Sequence, residues 1–126
     1  MSSLASTSLS ADERALVQRF AAVLREGLGA ELQALWLFGS RARGEQPDHE
    51  DSDIDLLVIV EDASWAGRRR VHEAFDEAAR ALGLEHVSPW FSVHIHTAEW
   101  LEGRRAIRSF FVGEVDRDKI VIEGPA

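Results

Sequence analysis

The chain has 126 residues, with 14 Lys or Arg against 22 Asp or Glu, for a formal net charge of −8. That length fits one domain with one hydrophobic core, and 45% apolar residues are too many for a disordered chain. An acidic surface disfavours direct nucleic-acid binding, and the absence of cysteine removes disulfides, thiolate zinc sites and cysteine nucleophiles.

Apolar runs such as Ala34–Phe38 and Leu56–Val60 are far too short to span a membrane. The first 13 residues hold no Lys or Arg and no long apolar run, unlike a secretory leader. A soluble, cytoplasmic protein is the expectation. Its charge is unevenly placed. Glu45, Asp48, Glu50, Asp51, Asp53, Asp55, Glu61 and Asp62 fall in one stretch without a single Lys or Arg, and outside it acids and bases balance at 14 each.

Met1–Leu9 is Ser/Thr-rich and reads as a flexible N-terminus, leaving 10–126 as a single domain. Ser10 and Glu13 have the spacing of a capping box, and Leu16, Val17, Phe20, Val23 and Leu24 keep helical periodicity until Gly27 and Gly29 supply a stop. Leu32–Phe38 reads as a buried strand closed by Gly39, followed by a polar loop containing Pro47. Asp53–Val60 is a second strand, rich in Ile, Leu and Val. A second helix covers about 64–82, with Val71, Ala74, Phe75, Ala78 and Leu82 as its core stripe and Gly83 as its end. Val87–Thr97 alternates as a third strand. Thr97 or Ala98 opens a short helix through Trp100 and Leu101, a helical turn or two surrounds Ser109–Val115, and Lys119–Glu123 is a last strand. Trp36 and Trp90 are expected in or near the core, Trp65 and Trp100 partly exposed. This order suggests an α/β (α+β) sandwich, a small mixed sheet flanked by helices.

Chemistry concentrates in Leu37-Phe-Gly-Ser-Arg-Ala-Arg-Gly44 and Ser52-Asp-Ile-Asp-Leu-Leu-Val-Ile-Val60. Gly39, without a Cβ, lets a ligand approach the backbone. If Ser40 opens a helix, its hydroxyl and the free N–H groups form a natural phosphate cradle. Asp53 and Asp55, two apart on a strand, project from one face. Two like charges so close need a counter-charge, and oxygen-only donors favour Mg²⁺ or Mn²⁺. A phosphate grip facing an Asp pair is what metal-assisted attack on a nucleoside triphosphate requires.

Phe38-Gly39-Ser40 followed by Asp53-Ile54-Asp55 resembles the signature of the DNA-polymerase-β-like nucleotidyltransferase superfamily, most closely its minimal nucleotidyltransferases. The resemblance implies that fold, transfer of a nucleoside monophosphate (often AMP from ATP), Mg²⁺ held by Asp53 and Asp55, and triphosphate contacts from Gly39, Ser40 and Arg41. By family analogy the acceptor is a hydroxyl on a small helical HEPN-type partner in a toxin–antitoxin pair, this chain being the antitoxin. A homo-oligomer is also compatible.

The family draws a third carboxylate from a neighbouring strand, and Val87–Thr97 contains none. One face of that strand carries Ser92, His94 and His96. Either His94 or His96 replaces the carboxylate as a neutral-imidazole base or ligand, or the third function is absent. In the second case the chain is a weak or inactive nucleotidyltransferase-fold module that neutralises a partner by binding. An antibiotic-modifying transferase is disfavoured by the short chain. A calcium loop beginning Asp51-x-Asp53-x-Asp55 is disfavoured because Leu56-Leu-Val-Ile-Val follows and demands burial. Glu45, Asp48, Glu50 and Asp51 read as a solvated loop, and Arg68–Arg70, Arg104, Arg105 and Arg108 as solvated helix faces.

Overall fold

The computed structural model describes residues 8–39, 41–43 and 53–125. Ser40 and the acidic-loop residues Glu45, Asp48, Glu50 and Asp51 lie outside the described residues, as do Met1–Thr7.

Helix α1 spans Ala11–Leu28. Its start is the capping box read from the sequence, with the Glu13 amide donating to Ser10 Oγ at 3.1 Å and the Ser10 amide to Glu13 Oε1 at 2.8 Å. Gly27 does not end the helix. It stays helical, and Gly29, at φ 54°, forms the C-cap. Upstream of the cap, Leu9 is already buried in the core, so the packed chain starts before Ser10.

Strand β1 (Leu32–Phe38) is central, with antiparallel neighbours β2 (Ile54–Val60) and β4 (Ile120–Glu123). Helix α2 (Trp65–Leu82), capped by the Ser64 side chain and ended by left-handed Gly83, leads through a 3₁₀ turn (Ser88–Trp90) to β3 (Phe91–His96). Because a helix crossover intervenes, β3 lies parallel to β2. The sheet order is β3-β2-β1-β4. Helices α3 (Ala98–Ala106) and α4 (Phe110–Asp118) complete the fold.

Helices cover both sheet faces, which explains the unbroken apolar runs of β1 and β2. On one face Leu16, Val17, Phe20 and Leu24 of α1 and Val71, Phe75 and Ala78 of α2 pack on Leu35, Leu37, Leu56 and Val58. On the other, Leu101 of α3 and Val112 and Val115 of α4 pack on Ala34, Trp36, Phe38, Leu57 and Ile59. The mixed sheet between helical layers is the architecture the element order suggests.

Two boundaries move. Val87–Trp90 is not strand. Pro89 cannot donate a ladder hydrogen bond, and the chain turns there instead. This displaces Trp90 from the core to 42% exposure, while Trp36 is buried as expected. Helix α4 runs three residues past Val115 to Asp118. No helix among the described residues is long and apolar enough to cross a membrane.

Candidate active site

Register decides which groups meet. Phe38, the last residue of β1, pairs with Asp55 of β2, so Gly39 follows directly beside that carboxylate. Its φ is 84°, a conformation that favours glycine. A Cβ built on Gly39 would lie 2.7 Å from Asp55 Oδ2. The glycine is therefore favoured by its backbone angle, and a side chain there would push the Asp55 carboxylate aside. Its carbonyl accepts from the amides of Ala42 at 3.1 Å and Arg43 at 3.3 Å, closing a tight turn immediately after the strand.

Asp53 stands one residue ahead of β2 and is exposed, whereas Asp55 is half-buried within it. In the parallel ladder Asp55 is opposite Ser92, whose hydroxyl donates to Asp53 Oδ2 at 3.2 Å. Ser92 thus touches one acid while facing the other. The alternation of β3 placed Ser92 on this face, but nothing local marked it as a partner of Asp53.

Register also separates the two histidines. His94 reaches back to Asp55, with Nε2 3.6 Å from Oδ1. Its ring packs 5.5 Å from Phe38 and 5.7 Å from Phe111, centroid to centroid. His96 lies opposite Ile59, two further residues along the sheet. There it stacks on Trp100, with ring centroids 3.5 Å apart and planes 7° from parallel. Burial, and then the charges of Arg68, His94 and Arg104, pull its pKa below the ordinary histidine value. His96 is a packing residue. His94 alone of the two stands at the Asp pair.

Arg41 is buried, and its guanidinium turns to Glu13 Oε1 at 2.5 Å and Ser8 Oγ at 3.0 Å. Arg43 donates to Asp118 Oδ2 at 2.8 Å. Asp118 is held below the usual carboxylate range, first by its hydrogen bonds with Arg117 and also by Arg43. Among the described residues no Lys or Arg forms an ion pair with Asp53 or Asp55. Asp53 accepts the Ser92 hydroxyl hydrogen bond, Asp55 faces His94, and among the described residues neither carries an arginine counter-charge. That donor set suits a divalent ion that takes one or two carboxylates and completes its shell with substrate phosphate and water. No group of three metal-ligating side chains forms among the described residues.

No curated protein matches the chain. Of the solved structures that do, one is a toxin–antitoxin crystal structure with AMP-PNP. It is 22% identical, covers 85% of this chain and 72% of its own, and has a TM-score of 0.51. A second is a mutant of the MntA–HpeT toxin–antitoxin, 21% identical, covering 83% and 70%, with a TM-score of 0.49. At 22% identity the first likeness is one of fold. The family model described as polymerase beta, nucleotidyltransferase matches residues 24–87, just over half the chain, from the end of α1 through β1, Gly39, Asp53, Asp55 and α2. With the Gly39 turn packed against the Asp55 carboxylate, this chain belongs to the polymerase-β-type nucleotidyltransferase family.

Proposed function

We propose that the protein binds ATP with Mg²⁺ or Mn²⁺ and transfers a nucleoside monophosphate, most simply AMP, to a hydroxyl on a partner protein. The hydroxyl oxygen bonds to the α-phosphorus as the bond from that phosphorus to the β-phosphate breaks and pyrophosphate leaves. The observation that carries this reading is the contact between the two halves of the motif, Gly39 seated on Asp55. In it Asp53 and Asp55 hold the divalent ion, and Gly39 and Ser40 receive the triphosphate. Bound there, the ion supplies charge neutralisation on the phosphates. Ser92 steadies Asp53, and Phe38 and Phe111 fix the ring of His94. With Nε2 beside Asp55, His94 is within reach of an acceptor hydroxyl at that edge and takes its proton in place of the third carboxylate. Arg41, which the family resemblance places at the triphosphate, has its guanidinium turned to Glu13 and Ser8.

The acceptor belongs to a partner. A solved neighbour of the same fold is a toxin–antitoxin with AMP-PNP, which supports a place for this chain in such a pair. Its role as antitoxin against a small helical protein of HEPN type rests on the family resemblance. Intact mass spectrometry of the co-expressed partner tests the reading. The expected result is a mass increase of a nucleoside monophosphate that disappears with Asp53→Asn/Asp55→Asn. Undiminished transfer by that double variant sinks the proposal.

A second reading has one observation in its favour, that no third ligand joins the Asp pair among the described residues. Under it the fold neutralises its partner by occlusion. The Asp53/Asp55 variants would then keep full neutralising activity, and no mass would be added.

A further inference from the structure

The turn after β1 is held from both faces of the sheet. On the α1 side, the buried Arg41 guanidinium donates to Glu13 Oε1, Ser8 Oγ and, at 3.3 Å, the Ser8 carbonyl. The Ser8 amide donates in return to the Arg41 carbonyl at 3.2 Å. On the α4 side, Arg43 pairs with Asp118, whose side chain is 8% exposed. Between these anchors sits the Gly39 carbonyl, accepting from Ala42 and Arg43.

From this geometry we infer that Arg41 and Arg43 are struts, and that Glu13 and Asp118 are positioning residues that fix the Gly39 turn against Asp55. Each strut ties the turn to a different helical layer, so the height of Gly39 over the carboxylate is set by both. Removing either carboxylate leaves an arginine at the turn without that anchor, and the guanidinium of Arg41 is deeply buried. Glu13 is bifunctional, because it also closes the capping box of α1. Glutamine preserves the capping role, so Glu13→Gln removes the charge on the strut while leaving the helix start intact.

The inference rests on the nucleotide reading and is separable from it. The full chain is titrated with AMP-PNP and Mg²⁺, and separately with Mn²⁺ alone, while amide exchange of Ala42 and Arg43 is followed by NMR. Glu13→Gln and Asp118→Asn should each weaken AMP-PNP binding about tenfold, leave Mn²⁺ binding within about twofold, and speed exchange of both amides. Glu123→Gln breaks an ion pair between Arg25 of α1 and β4, away from the turn, and should change none of the three. The opposite sign overturns the inference. If Arg41 were a phosphate ligand held back by Glu13, Glu13→Gln would tighten AMP-PNP binding. Unchanged amide exchange overturns it as well. Failure of the unaltered chain to bind AMP-PNP would defeat the nucleotide reading, and the exchange rates would still decide the struts.

Discussion

Gly39 lies so close to Asp55 that a Cβ on the glycine would sit 2.7 Å from Asp55 Oδ2. Sixteen positions apart in the chain, the two residues are brought together by the β1–β2 register. Gly39→Ala must displace Asp55 or the turn and also places a side chain at φ 84°. We expect a stability loss of about 1–2 kcal/mol and a fall in kcat/KM of about 100-fold. Denaturant unfolding and steady-state transfer measure the two. Wild-type turnover by this variant would show that the close approach has no functional consequence.

His94 divides a packing role from a chemical one. Phenylalanine at this position keeps the ring contacts with Phe38 and Phe111 but has no nitrogen to face Asp55. The expected outcome for His94→Phe is a kcat lowered by about 100-fold or more with little change in melting temperature. Retained kcat would return His94 to the hydrophobic layer and leave the site without a base of its own among the described residues.

His96 should make the fold acid-sensitive. Its folded-state pKa lies below the ordinary 6.5, chiefly because it is buried against Trp100. The folded protein therefore binds the proton less readily than the unfolded chain. Stability is fully present above the unfolded value and declines as pH falls below about 6.5 toward the lowered folded value. His96→Phe keeps an aromatic stack and removes the titration, so the difference in melting temperature between pH 7.5 and 5.5 should shrink. An unchanged difference would locate the acid sensitivity elsewhere.

Arg108 is the one non-glycine residue at positive φ among the described residues, at 54°. It occupies the left-handed position of a Schellman motif that ends α3. Its amide donates to the Arg105 carbonyl at 3.0 Å, and the Ser109 amide to Arg104 at 2.9 Å. Glycine takes this conformation without the Cβ penalty. Arg108→Gly should therefore stabilise the fold by about 1 kcal/mol, read as a raised denaturation midpoint with an unchanged slope. A lowered midpoint would show that the arginine side chain contributes more than its backbone conformation costs.

Much was legible from local signals, because those signals act over a few residues. Ser10 and Glu13 cap α1 through bonds three positions apart, the apolar stripe of α2 selects its buried face, and strand alternation puts Ser92, His94 and His96 together. Asp53 and Asp55 are recognisable by spacing alone, as is the glycine that precedes them. What the chain could not reveal by itself is set by pairing between distant segments. The β2–β3 register determines that His94, and not His96, lies beside Asp55. The packing of residues 8–13 over the turn brings Glu13 to Arg41, and α4 receives Arg43 through Asp118. Side-chain direction across a sheet, and the partner a buried arginine finds, depend on which elements become neighbours. Only the tertiary structure decides that.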